Sequence, residues 1–155
     1  MGFFVLSCSS VPPLGNAKTS APELAESVLA ALASRDRAAL QQLTLTEQEF
    51  RDHAWPDLPA AQPERNLPFS YVWGDLRQKS EVSLGETLSE HGGRHLRLRN
   101  VRFEGETTLY DTYLVHRETV LTVVDESGME QDLRLFGSMI EKDGAWKIFS
   151  YVVHD

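Results

Sequence analysis

The sequence predicts a single α+β domain in which helices come first and an antiparallel sheet follows. Apolar residues recur every three or four positions between residues 20 and 91, as in helices that bury one stripe. From residue 95 onward the period changes to two, and turn residues separate the segments, as in a meander of strands. A chain of 155 residues can fill one core but hardly two. We therefore expect one domain over 20–155, preceded by a disordered tether over 1–19.

Three short helices are expected at the start of the domain. The segment "SAPE" is a capping box with Ser20 as N-cap, and it opens the first helix. Asp36 is the expected cap of the second helix. Thr46 and Glu49 form a further capping box, and Pro56 is expected to end the helix that it opens.

A longer helix follows a proline-rich connection over 56–68. Its apolar residues keep helical spacing from Phe69 to Leu88, and Asn66 is the expected N-cap. The pair Gly92-Gly93 is expected to end it, because glycine is favoured just beyond a helix.

Four strands are expected in the second half of the chain. They are "HLRLRNVRF", "TYLVHRETVLTVVDES", "EQDLRLFGSMIEK" and "AWKIFSYVV". Gly137 inside the third strand predicts a bulge or bend. Asp143-Gly144 predicts a tight hairpin turn before the last strand.

The strands are apolar on both faces, which is unusual for a sheet with one face in water. In the last strand Trp146 and Ile148 alternate with Phe149, Tyr151 and Val153. Helices are expected to cover one face; a pocket, the C-terminal tail or a second subunit would cover the other. We favour a homodimer formed through Phe149, Tyr151 and Val153.

Two segments resemble the nuclear-transport-factor-2-like superfamily. They are "LAALASRDRAALQQLTL", before the long helix, and the closing hairpin "EKDGAWKIFSYVV". The resemblance implies a cone in which a curved antiparallel sheet wraps the long helix around a cavity. That superfamily includes isomerases, dehydratases and cyclases as well as binding and dimerisation domains, so it does not assign a function.

The segment "VLSC", which ends at Cys8, resembles a bacterial lipobox, in which the cysteine is lipidated after cleavage of a signal peptide. Cys8 is the only cysteine, and a polar stretch rich in Ser and Pro follows it. The seven residues before it contain no Lys or Arg and are shorter than a full signal peptide, so the interpretation requires an upstream start. The alternative is a disordered tail with an incidental cysteine in a cytoplasmic protein. We expect an exported domain held at the cell envelope by a lipid anchor alone.

The preferred functional hypothesis is a binding or assembly module for a small apolar ligand inside the cone. Its expected pocket is lined by aromatic side chains, since ligand pockets are mostly apolar: Trp55, Phe69, Trp73 and Trp146. The alternative is an isomerase, dehydratase or cyclase with its site inside the cone, for which the residues to test are His116, Asp75, Tyr110 and Asp111.

Composition and motifs argue against other classes of function. The net charge of −8 disfavours nucleic-acid binding, which needs a basic face. The sequence has no glycine-rich phosphate loop and no zinc-ligand spacing, so we expect neither a cofactor nor a metal.

Overall fold

The computed structural model describes residues 11–153. Within that range the chain forms an α+β domain with four α-helices and two antiparallel sheets, as predicted. The helices are α1 (Ala21–Ala33), α2 (Arg37–Gln42), α3 (Glu47–Glu49) and α4 (Phe69–His91). The strands are β1 (Arg97–Phe103), β2 (Thr107–Leu109), β3 (Leu114–His116), β4 (Thr119–Val124), β5 (Glu130–Leu133), β6 (Ser138–Lys142) and β7 (Ala145–Ser150).

The predicted helix caps are present on the first three helices. The Ser20 hydroxyl accepts from the Glu23 amide at 3.2 Å, and Asp36 Oδ1 accepts from the Ala39 amide at 3.0 Å. Thr46 and Glu49 make both halves of their capping box. Each cap satisfies a backbone donor that has no partner within the helix.

Two predictions about helix ends are wrong. The third helix continues past α3 as a π-helical turn, Phe50–Ala54, and a 3-10 turn, Trp55–Asp57, which contains Pro56. Pro68, not Asn66, precedes α4, and Asn66 has a positive φ of 41°. Proline suits this place because it lacks the amide that the start of a helix leaves unpaired.

The two longest predicted strands are each divided in two, and this creates two sheets. One has the order β1-β4-β5 and the other β2-β3-β6-β7. Glu118, with a positive φ of 55°, separates β3 from β4. The predicted bend at Gly137 is confirmed, because it lies between β5 and β6. The predicted turn at Asp143-Gly144 is also confirmed, with positive φ at both residues.

The chain itself covers both faces of the four-stranded sheet. One face, with Met139 and Ile148, packs in a first core against α1, α2 and Leu84 of α4. The other face, with Val115 and Ile140, packs in an aromatic core centred on Phe50. The apolar character of both strand faces therefore has an explanation within one chain.

Residues 11–19, which were expected to belong to the tether, contact the domain. Pro12 O lies 2.7 Å from His53 Nε2, and the Gly15 amide donates to Glu49 Oε2 at 2.7 Å. Leu14 is buried in the aromatic core, and Lys18 exchanges backbone hydrogen bonds with Trp146 on β7. Any tether must therefore lie before Pro12, the first residue that makes these contacts.

Candidate functional site

The predicted aromatic pocket is filled by Phe50. Its ring centroid lies 6.2 Å from that of Trp55, 5.7 Å from that of Phe69 and 5.2 Å from that of Trp73. Phe50 is fully buried, so these side chains form a packed core. Trp146 lies in the first core instead, on the opposite face of the sheet.

His116 sits between two aromatic rings. Its ring centroid is 4.8 Å from that of Phe103 and 4.9 Å from that of Trp146, and both pairs are stacked. Nδ1 lies 3.0 Å from Thr107 Oγ1, and Nε2 lies 3.4 Å from Glu141 Oε1. With its side chain 13 % exposed, the imidazole is occupied on both nitrogens and both faces. This arrangement fits a packed histidine better than a general base.

The other candidate catalytic residues are engaged separately. Tyr110 accepts from Arg117 Nη2 at 3.0 Å, and its ring stacks on that of Tyr113. Asp75 lies on the exposed side of α4, where Lys79 Nζ donates to it at 3.0 Å. Asp111 is exposed in the turn between β2 and β3. These contacts do not assemble an acid–base pair.

The three residues of the expected dimer face lie in different environments. The pairs Ser138–Ser150 and Met139–Ile148 leave Phe149 without a partner, so a bulge breaks the alternation of β7. Phe149 then packs against Phe50, with ring centroids 6.2 Å apart, while Tyr151 enters the first core. Tyr151 is 0 % exposed, and its hydroxyl donates to Leu40 O at 2.7 Å. A homodimer stays a prediction; Tyr151 is too buried to form its surface, whereas Phe149 and Val153 are partly exposed.

A cavity of about 600 Å³ lies where the two sheets meet. Four segments line this seam cavity: 104–106 between β1 and β2, 117–119 at the start of β4, 134 and 136–138 at the start of β6, and 150, 152 and 153 at the end of β7. The cavity is thus made by the breaks in the strands, of which the sequence indicated the bend at Gly137.

Backbone hydrogen bonds hold these segments side by side. The Glu104 amide donates to Glu118 O at 3.0 Å, and the Thr119 amide donates to Gly137 O at 3.0 Å. The Gly137 amide in turn donates to Ser150 O at 3.0 Å. The walls of the cavity are therefore fixed without a ligand, as is usual for binding pockets.

Gly137 is needed for this close approach of backbones. A Cβ atom at this position would lie 2.0 Å from Val152 O, well inside the contact distance of a carbon and an oxygen. A similar constraint applies at Gly105, which also lines the cavity. A Cβ atom at this position would lie 2.9 Å from Glu118 Cγ.

The lining combines an apolar wall with charged side chains. Phe136 is buried in the wall, and Val152 and Val153 complete its apolar part. The charged members are Glu104, Glu106, Arg117, Glu118 and Arg134.

A smaller cavity of about 310 Å³ lies between α2, α4 and β7. Trp73, Phe149 and Tyr151 contribute to its lining, so one predicted pocket residue does border a cavity. Arg37, which pairs with Glu81 at 3.0 Å, joins α2 to α4 beside it.

None of the helices within residues 11–153 is both long and apolar enough to cross a bilayer. The same residues contain no grouping of three or more His, Cys, Asp or Glu side chains suited to a metal ion.

Comparison with protein-family models, with curated proteins and with solved structures finds no match to this chain. The resemblance to the nuclear-transport-factor-2-like superfamily therefore stays a prediction. Cys8, the cysteine of the expected lipobox, lies outside the described residues.

Proposed function

We propose that this protein is a non-catalytic binding domain that takes a small ligand in the seam cavity. The observation that carries the proposal is the cavity itself, whose volume of about 600 Å³ falls within the size range of small-molecule sites. Its backbone walls are fixed by hydrogen bonds, and it combines apolar surface with charged groups, as ligand pockets do.

Two carboxyl groups outside the seam cavity are poorly suited to act as general acids. Hydrogen bonds from the Arg102 guanidinium lower the pKa of Asp132, and a hydrogen bond from the Ser127 hydroxyl lowers that of Asp125. A general acid at neutral pH needs a raised pKa instead.

The proposal places the domain at the cell envelope, attached through a lipid on Cys8. Cys8 lies only four positions before Pro12, whose carbonyl lies 2.7 Å from His53 Nε2. A fully extended chain of that length spans roughly 13–14 Å. A lipid on Cys8 would therefore hold the domain close to the membrane surface.

The anchor can be tested by expressing the gene with its upstream DNA in its own host and measuring the mass of the detergent-extracted protein. A diacylglyceryl group on Cys8, with the preceding residues removed, supports the anchor. An unmodified cysteine in a chain that starts at Met1 contradicts it and favours the cytoplasmic alternative.

The cavity can be tested with Nile red, an uncharged apolar dye whose fluorescence rises on leaving water. Val153→Trp places an indole in the cavity, and Val82→Trp places one on the exposed surface of α4 as a matched control. We expect Val153→Trp alone to weaken dye binding, by about tenfold or more, which corresponds to about 1.4 kcal/mol.

Equal dye affinity in wild type and both variants would overturn the proposal. If Val153→Trp disturbs the fold by circular dichroism, Ser138→Trp fills the same cavity from β6 and replaces it in the comparison.

A further inference from the structure

We infer that the seam cavity selects an amphipathic organic cation, a ligand with an apolar body and an ammonium-like head. The inference rests on the proposed function and adds the chemical class of the ligand. It follows from which charges around the cavity are already paired.

Glu104 is neutralised by a local network. Arg102 Nη2 donates to Glu104 Oε1 at 3.0 Å and to Asp132 Oδ2 at 2.9 Å. Arg134 Nη2 contacts the second oxygen of Glu104. Two guanidinium groups thus face two carboxylates, and this network has no net charge to offer a ligand.

Arg117 is directed away from a ligand by its own hydrogen bonds. Its Nη1 donates to Thr108 Oγ1, and its Nη2 donates to the Tyr110 hydroxyl at 3.0 Å. Both acceptors lie on or just after β2, outside the lining of the cavity. The guanidinium is therefore poorly placed to bind the anionic head group of a ligand.

Glu106 and Glu118 are the remaining charges of the lining. Among the contacts within residues 11–153, neither side chain has an ion pair or a hydrogen bond, and both residues are exposed at the cavity. Two free carboxylates against one engaged guanidinium make the mouth of the cavity negative. The net charge of −8 on the whole chain adds to this negative potential.

The apolar part of the lining indicates the chemistry of the ligand's body. Phe136, Val152 and Val153 line the cavity together with polar groups, so a purely hydrophilic cation would leave apolar surface in water. A ligand with an alkyl or aromatic body and a cationic head satisfies both parts of the lining.

The test compares two probes that share a decyl chain and differ in the sign of the head. Binding of decyltrimethylammonium and decyl sulfate is measured below their micelle concentrations by displacement of Nile red. We expect the ammonium probe to bind more tightly. Glu106→Gln and Glu118→Gln should each weaken it by about fivefold, the effect of losing one solvated charge about 4 Å away.

Glu126→Gln is the matched control, because it removes one carboxylate from a turn that does not line the seam cavity. Equal or tighter binding of decyl sulfate would overturn the inference, as would equal loss in Glu118→Gln and Glu126→Gln. If the inference fails but both probes displace Nile red, the proposed function still stands. If Nile red binds wild type and Val153→Trp equally well, the proposed function itself is refuted before the probes are compared.

Discussion

Lys147 Nζ lies 2.7 Å from Glu49 Oε1, and the lysine side chain is only 1 % exposed. This ion pair joins β7 to α3. Glu49 also accepts hydrogen bonds from the Thr46 and Gly15 amides, at 3.0 and 2.7 Å, and so connects the N-terminal segment to both elements. One carboxylate therefore organises one wall of the aromatic core.

Replacing Glu49 by Gln should destabilise the domain by about 3–5 kcal/mol, because a buried ammonium then loses its counter-charge. Lys79→Met, which breaks the exposed pair with Asp75, should cost less than about 1 kcal/mol. Urea unfolding measures both free energies. If Glu49→Gln costs no more than Lys79→Met, the central role of the Glu49–Lys147 pair is refuted.

Glu49 should also make stability depend on pH. Burial raises the pKa of this carboxyl, but hydrogen bonds from Lys147, Thr46 and Gly15 outweigh that effect and leave the pKa lowered. A group with a lower pKa in the folded state stabilises the fold above its unfolded pKa, which is about 4.5. That stabilisation is lost as the pH falls through the folded pKa.

The free energy of unfolding should therefore decrease below about pH 4.5, and it should decrease less steeply in Glu49→Gln than in wild type. Unfolding curves collected between neutral and acidic pH give both slopes. Parallel slopes for the two proteins would show that Glu49 titrates normally.

Gly137→Ala should be strongly unfavourable and Gly74→Ala favourable. The added Cβ meets Val152 O at 2.0 Å in the first case and has no heavy atom within 4 Å in the second. We expect a loss of about 1–3 kcal/mol at position 137 from overpacking and a gain of about 0.5–1 kcal/mol at position 74 from helix propensity. Thermal unfolding measures the difference, and a neutral Gly137→Ala would mean that the seam opens easily.

Tyr151 should behave as a core residue. Tyr151→Phe removes its hydrogen bond to Leu40 O and should cost about 0.5–1.5 kcal/mol. Tyr71→Phe, at an exposed position on α4, should have no measurable effect. Tyr151→Asp should abolish the folded state, since a charge would be buried without a partner. If wild type is a dimer and Tyr151→Asp is a folded monomer, Tyr151 belongs to the dimer face after all.

Much of the fold could be predicted because its signals are local. The caps at Ser20, Asp36 and Thr46 depend on side chains within three residues of the backbone they satisfy. The turn at Asp143-Gly144 needs a positive φ that these residue types tolerate. Such features are visible in a short stretch of sequence.

The errors arise where distant segments decide the outcome. Glu118 adopts a positive φ that a glutamate would not be predicted to adopt. It divides one predicted strand into β3 and β4. The bulge at Phe149 reverses the direction of Tyr151, which a strict period of two cannot anticipate. Gly137 marked one of the breaks that form the seam cavity, but no local pattern indicated that the four lining segments meet.

The seam cavity can be located most directly by following backbone amides in two-dimensional ¹⁵N–¹H spectra during a titration with decyltrimethylammonium. The proposed site predicts saturable shifts, with one common Kd, at Gly105 and Gly137, which line the cavity. The amides of Gly74 and Gly85 on α4 should stay in place. Shifts concentrated on α4 or around Phe50, with Gly105 and Gly137 unmoved, would contradict a binding site between the sheets.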